Sequence, residues 1–579
     1  MLPRFFLALV LPLTASAVRA QTAALAATAS FASGVWCGNV TPTSASVVVR
    51  LTASGQKVRL QVGANTALTP PIFSGAANTA AIAGNTVTLT VQGLQPDTEY
   101  YYGVEVAGVL RGEHNSRGRF RTFPAGRGSF RIAFASCSDY RAADQRVFDA
   151  ILAERPLLFI HTGDLHYNDT NTTNPDDYRA NYDSVLNQPN ESALYRNVPV
   201  AYVWDDHDSM GNDSNGTFVG VATARAVYGE RVPHYPIAAA AGGAIAQSFT
   251  IGRVRVLMTD TRSAADPPGK IDDASKSMLG AAQKTWFKQE LVNARDAGCP
   301  LVLWISTNPW IGQITPGEDN DSWRSYQTER TELANFIRDN RITNLVMLSG
   351  DMHALAYDDG THSDYATGGG APLTVLHAAA LTQGGSIKGG PYTGAPLPGD
   401  QHYGILEVYD VGGPSVACRF LGMRAGEGTK LSYIFSSCNT GALSGQALVN
   451  ISTLAHVNAD NNTAVSGFVI SGDTPRTVLV RAVGPTLAQF GLTDALAQPQ
   501  LVVYQGGKII ASNDAWAPGD QAATSLNAAF DRVGAFRLTD RASRDAAILL
   551  TLAPGSYTLS VKSANGASGS ALVEIYNVL

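Results

Sequence analysis

The sequence predicts a multidomain protein of the α/β plus β class, with a central α/β layered domain flanked by two β-sandwich domains. Three observations carry this reading. The chain has 579 residues, more than one hydrophobic core usually organises. Its two outer zones show short runs with period-two alternation, broken by Gly, Pro and Asn, as half-buried strands require. Its middle zone alternates helix-like segments with short apolar runs that end in polar clusters, the pattern of an α/β layered domain. Hydrophobic residues make up 45% and charged residues 16% of the chain, enough for packed cores in every zone. A net charge of −6 and a pI near 5.9 argue against a nucleic-acid-binding face, which needs a basic surface.

Residues 1–20 read as an export signal. A basic start through Arg4 precedes an apolar run over 5–13, too short to span a bilayer, and Ala15-Ser16-Ala17 or Val18-Arg19-Ala20 offers a cleavage site. The expected mature protein is soluble and periplasmic or extracellular. Residues 29–125 form the first β-zone, with strands expected over 46–51, 58–62 and 87–91. The run from Gly93 to Tyr102 resembles the tyrosine-bearing corner of a fibronectin type III-like module. The middle zone, 128–440, begins with a helix over 145–154. Strands over 156–160, 198–204, 254–258, 301–305 and 344–348 lead into polar clusters, with helices over 281–295 and 331–338. The last zone, 446–579, returns to strands at 467–472, 478–482, 547–552, 555–561 and 571–576. Its polar run 458–462 reads as a loop, with calcium binding the lesser alternative. Five cysteines leave at least one unpaired or bound to something, and Cys418 and Cys438, in neighbouring β-like segments, are placed so that they could pair.

In layered α/β folds, ligands bind beyond the carboxyl ends of the strands. The polar clusters fall there. Cys137 follows one apolar run. Gly163-Asp164-Leu165-His166-Tyr167 follows the next, and Asp205-Asp206-His207-Asp208 the one after, with Asn212 beyond. Asp260 and Arg262, then Asn308, then Asp351 and His353 close the later runs. Carboxylate and phenolate oxygens suit hard cations, and thiolate or imidazole suits transition metals. So many carboxylates repel unless cations neutralise them, which points to more than one metal. Two metals about 3.5–4 Å apart clamp the attacking and leaving oxygens of a phosphoryl group. Arg262 either grips a phosphate in a bidentate contact or pairs with Asp260. Asn308 reads as a turn residue before Pro309, Asp208 as an acceptor for a ligating group, and His161 and His166 as rim residues.

The four ordered motifs Ser136-Cys137, Gly163-Asp164-Leu165-His166-Tyr167, Asp205-Asp206-His207-Asp208 and Gly350-Asp351-Met352-His353 resemble those of the PhoD-like branch of the metallophosphoesterases. The resemblance covers roughly residues 35–437. It implies a four-layer α/β/β/α catalytic domain behind the leader module, and alkaline phosphatase or phosphodiesterase activity. By this resemblance Cys137, Asp164, Tyr167 and Asp351 hold a ferric ion. Asp164 bridges to calcium, and Asp206, Asn212 and His353 are further ligands or near-ligands. His207 faces the phosphate. The expected catalytic residues are thus His207, Asp164 and Arg262. The chain departs from the family at Ser138, where Gln is frequent, and at Asp208, Gly211 and Asn212, where Glu and two Asn are usual. It also lacks a twin-arginine signal.

The expected reaction is hydrolysis of a phosphomonoester or phosphodiester by a metal-bound hydroxide at a multinuclear site. Fe3+ and Ca2+ come from the resemblance, and the ligand types alone also allow zinc, manganese or iron pairs. Rival readings are a phospholipase D-type or sulfate-ester hydrolase on the same scaffold, and a non-catalytic surface-binding protein. The C-terminal zone leaves room for contact with a cell surface or polysaccharide.

Overall fold

The computed structural model describes residues 29–313, 321–441, 450–458, 463–470 and 475–578. The expected signal segment, the start of the last zone at 446 and the polar run 459–462 lie outside these residues. The chain divides into two compact units, Met1–Ala442 and Leu443–Leu579.

Two large mixed sheets, beside a third of six strands, organise the first unit. One has nine strands, in the order Gly428–Cys438, Ser415–Arg424, His402–Tyr409, Phe130–Ala135, Leu158–His161, Val200–Tyr202, Trp36–Gly38, Ser44–Arg50 and Thr86–Gln92. The other has seven, in the order Gln247–Ile251, Val254–Met258, Leu301–Ser306, Leu345–Ser349, Thr374–Ala378, Ala354–Asp358 and Gly394–Pro398. Strand alternation sorts the apolar residues between layers. Leu301, Leu303 and Ile305 join the core that also holds Ile132, Phe134 and Ile160 of the first sheet. Val302 and Trp304 face the opposite way and pack with Trp286, Phe287, Leu333 and Ile337 of the helices Gly280–Asp296 and Gln327–Asp339. Strands buried on both faces read as continuous apolar runs, which is why the sequence exposes them. On the first sheet, Val147, Phe148 and Ile151 of the helix Arg146–Ala153 join the core of their own sheet.

The sequence did not suggest the helices Pro175–Asn187, Pro189–Asn197 and Val221–Arg231. Their buried positions include Arg179, Asn181, Glu191 and Arg231, so no clean apolar stripe marks them. The caps were readable, since Asn174 and Gln188 accept from Asp176 and Glu191 backbone N–H groups just ahead of Pro at the first helical positions.

In the first β-zone two sheets face each other across one core. Lys57–Gly63, Ile72–Phe73, Ala77–Asn78, Glu99–Val106, Val109–Leu110 and Arg117–Arg121 form a six-stranded sheet. Trp36–Gly38, Ser44–Arg50 and Thr86–Gln92 extend the nine-stranded sheet, a continuation the sequence does not suggest. The joint is a parallel pairing of Gly38 with Val200. Local alternation identifies a strand but not its neighbour, and this neighbour lies far along the chain. Buried polar contacts fasten the same joint: Trp36 Nε1 donates to Arg231 O at 2.7 Å and Tyr102 Oη to Arg196 O at 2.9 Å. The tyrosine corner forms, with Gln95 N donating to Tyr100 Oη at 3.0 Å.

The Cys418–Cys438 disulfide that the sequence allows does not form, and all five cysteines are free. In the ladder, Cys418 faces Phe435 and Cys438 faces Ser415. The two are three pairs apart, roughly 10 Å along the strands, beyond disulfide reach.

The second unit has two four-stranded sheets around a core that includes Val480, Leu501, Leu559 and Val573. It also carries a helix, Asp520–Val533, that the sequence reading missed. Among the described residues no helix is long and apolar enough to cross a membrane.

Candidate metal centre

The strands Phe130–Ala135, Leu158–His161 and Val200–Tyr202 run parallel, as do Val254–Met258, Leu301–Ser306 and Leu345–Ser349. Their carboxyl ends carry the polar clusters, and hydrogen bonds stitch the two sheets together there. Thr307 Oγ1 donates to Asp205 Oδ1 at 3.1 Å, and Asp351 N donates to Ser136 Oγ at 3.2 Å. Cys137, Asp164 and Asp351 sit just past their strands with φ of 65°, 55° and 67°. Each occupies the left-handed region, at a cost of about 1–2 kcal/mol for a residue with a side chain.

Three groups of ligand atoms result, each within 4.8 Å: Cys137 with Asp164 and His353; Asp164 with Asp206 and His207; and Asp206 with Asp213 and Asp321. Asp164 belongs to the first two and Asp206 to the last two, so the groups form a chain joined by shared carboxylates. Cys137 Sγ lies 3.5 Å from Asp164 Oδ2, and Tyr167 Oη donates to the same oxygen at 2.9 Å. Tyr167 Oη is also 3.3 Å from His353 Nε2. His353 donates through Nδ1 to Gly384 O at 2.6 Å, which leaves Nε2 as its ligating atom.

The donor set fits cations. Asp164 Oδ1, Asp205 Oδ2 and Asp351 Oδ2 are buried and accept no hydrogen bond, an arrangement that costs free energy unless a positive charge meets them. Burial pushes Asp164 well above the usual carboxylate range, and Cys137, Asp206 and Asp205 add to the shift. Burial likewise pushes the Cys137 thiol up to about 12. Burial opposes ionisation of Asp206 too, but Arg262, His207 and Lys388 outweigh it and hold this carboxyl down to about 2. A bound cation reverses the penalty on the others.

The expected site residues divide as follows. Cys137, Asp164, Asp206, His207 and His353 come together in the groups above, with Tyr167 against them. Asp351 lies beside Cys137, whose Sγ is 3.9 Å from its carbonyl oxygen, but its carboxylate joins none of the three groups and receives the Lys388 ammonium. Asn212 is exposed and donates its amide to Asp213 Oδ2 at 2.6 Å. It supports Asp213, and Asp213 is the residue that meets Asp206. Arg262 neither pairs with the Asp260 side chain through its guanidinium nor opens to solvent. Its Nε donates to Asp205 Oδ1 at 2.5 Å, and its Nη1 lies 2.7 Å from Asp321 Oδ2. The Asp260 carboxylate accepts instead from Trp204 Nε1 and Ile245 N. Asp208 is a latch: it accepts from Leu165 N and Tyr202 Oη at 2.6 Å and from Asp205 N at 2.7 Å. His161 is wholly buried with its ring edge-on to Phe159 and Tyr202, a packing residue.

Sequence reasoning missed Asp169, Asp213, Asp321 and Lys388. Asp169 Oδ1 takes His207 Nδ1 at 2.6 Å. All four lie in loops, where no periodicity marks a residue. The available signals were the acidic run ending at Asp321 and the glycines bracketing Lys388.

Two facing mixed sheets with candidate cation ligands at their strand ends define a metallophosphoesterase fold, and solved structures share it. A structure of PhoD superposes with a TM-score of 0.57 at 20% identity, covering 71% of this chain and 91% of that one. The purple acid phosphatase PPD1 from yellow lupin (Lupinus luteus) seeds superposes with a TM-score of 0.50 at 11% identity, over 71% of this chain and 76% of its own. In sequence, residues 132–388 match the PhoD-like phosphatase family and residues 15–124 match its N-terminal domain. Alkaline phosphatase D of Bacillus subtilis (strain 168) is 25% identical over 326 residues, 48% of this chain. The match spans 55% of that relative's length. The chain belongs to the PhoD-like phosphatase family.

Proposed function

We propose that this chain is an exported, metal-dependent phosphoesterase that hydrolyses phosphomonoesters or phosphodiesters at the Cys137–Asp164–Asp206 centre. The observation that carries the reading is the chain of three ligand groups sharing Asp164 and Asp206, with unpartnered carboxylate oxygens along it. Iron fits the Cys137, Asp164, Tyr167 and His353 end, where sulfur, phenol and imidazole gather. Calcium fits the all-carboxylate end at Asp206, Asp213 and Asp321. Such cations supply charge compensation for phosphoryl oxygens and acidify water.

The chain's own residues supply the rest. His207 turns Nδ1 to Asp169 Oδ1, which leaves Nε2 as the ring atom free to exchange a proton with the leaving oxygen. The Tyr167 ring, with its centroid 4.1 Å from that of His207, limits the imidazole's rotation. Arg262 holds Asp205 and Asp321 in place from behind, and Asp208 locks two strand ends to each other. The basic and apolar leader pattern of residues 1–20 supports export.

The test is elemental analysis of the purified protein, with hydrolysis of p-nitrophenyl phosphate and bis-p-nitrophenyl phosphate measured on the same sample. Iron and calcium are expected together with turnover, and a visible tyrosinate-to-iron band is expected. Cys137→Ala should lower kcat at least ~100-fold and abolish the band. Full metal loading without turnover of either ester sinks the reading.

A further inference from the structure

Among the described residues, the carboxylates of the centre face two organic cations, Arg262 and Lys388, and these differ in what they leave free. The Arg262 side chain is 2% exposed and directs its guanidinium to Asp205, Asp321 and Asp206. The Lys388 side chain is 32% exposed. Its Nζ donates to Asp351 Oδ1, the one hydrogen bond it makes among the described residues. An ammonium has three donors, so two remain. Lys388 is thus the more exposed of the two cations and the less committed in hydrogen bonds.

The backbone holds it there. Leu381 N donates to Ser136 O at 2.9 Å and Thr382 N to Cys137 O at 3.2 Å. Ser386 N donates to His353 O at 3.2 Å, while Gly384 O receives His353 Nδ1. Beyond Lys388, Gly389 has φ 73°, and a Cβ there would lie 2.0 Å from Ile311 O. Only glycine permits that approach. Tyr392 Oη donates to Lys388 O at 3.1 Å. The segment is therefore tied to the Cys137 turn, to the ligand His353 and to the Ile311 backbone.

We propose that Lys388 is a substrate-binding residue whose ammonium takes a non-bridging phosphoryl oxygen of the ester and of the phosphate released from it. This rests on the phosphoesterase reading above. An anion approaching a centre this rich in carboxylates needs positive charge on its open side. A lysine supplies it as a point charge on a flexible stem that swings between Asp351 and the ligand. The role that the sequence suggested for Arg262 falls to Lys388, because exposure and uncommitted donors separate the two.

The experiment measures inorganic phosphate binding to the metal-loaded protein by calorimetry, for the parent, K388M, K388Q and K388R. Metal content and p-nitrophenyl phosphate kinetics are read on the same samples. Expected for K388M and K388Q is unchanged metal content, phosphate affinity weakened about 10–100-fold and KM raised in parallel, with a smaller change in kcat. K388R should recover part of the affinity. Phosphate affinity equal to the parent's in K388M and K388Q overturns the proposal. So does loss of metal in both, which would make Lys388 a support for Asp351. If the parent binds phosphate through Lys388 yet hydrolyses no ester, the phosphoesterase reading fails and the anion site stands. If the metal-loaded parent binds no phosphate, the Lys388 proposal fails, and ester turnover on the same sample decides the phosphoesterase reading by itself.

Discussion

Ser138 follows Cys137 at the end of its strand and is tied to a buried carboxyl. Its hydroxyl donates to Glu191 Oε1 at 2.5 Å, and Glu191 is fully buried with Oε2 unpartnered. Burial pushes this carboxyl up to about 8, with Asp139 adding to the shift and Ser138 opposing it. An unfolded glutamate titrates near 4.3. The folded state therefore holds this proton more tightly than the unfolded chain does. The stability that comes from the neutral carboxyl is whole below about pH 4.3 and is lost as pH rises through about 8. Glu191→Gln removes the ionisation and keeps an acceptor for Ser138. At pH 9 the variant should exceed the parent in stability by roughly 2–5 kcal/mol, and the gap should close toward pH 5. Urea unfolding across that range checks this, and parallel pH dependence of the two proteins would count against a buried titrating Glu191.

At the scale of elements, the strand-end turns decide whether the ligands meet. Gly163 has φ 97°, and a Cβ there would lie 2.5 Å from Asp205 Cβ and 3.1 Å from Thr307 Cγ2. Gly163→Ala should push the Asp164 turn away from the Asp206 turn. We expect a fall in kcat of about 100-fold or more with reduced metal content, while far-ultraviolet circular dichroism stays that of the parent. Full metal content in this variant would refute the tight-approach argument. The same turns explain what was legible. Buried strands are apolar throughout, so the sequence shows where each ends, and Cys137, Asp164, Tyr167, His207 and His353 lie just past those ends. Asp169, Asp213, Asp321 and Lys388 enter from loops, placed by backbone contacts between distant segments. Local pattern carries no record of such contacts. Arg262 was visible as a residue, but its partners were not, because Asp205 and Asp321 reach it from elsewhere in the chain.

For the whole molecule, the division at residue 442 and the absence of any division at 125 make opposite predictions. A chain ending at 442 keeps both large sheets and all three ligand groups, and should retain the metal content and kcat of the full chain. A chain lacking 29–124 exposes the edge of Val200–Tyr202, three residues ahead of the turn at Asp205 and Asp206. It should lose metal and aggregate, as elemental analysis and light scattering would show; a soluble, metal-loaded product would contradict the shared sheet. That sheet also sets an order of assembly. Trp36–Gly38 leaves the ribosome long before its parallel neighbour Val200–Tyr202, and Phe130–Ala135 long before His402–Tyr409. Closing loops of that length precedes any reward from the contacts they bring, which slows folding. The earliest strands thus wait for the latest, and a chain released before Tyr409 has all three candidate ligand groups but not the complete strand that pairs with Phe130–Ala135 beside Cys137.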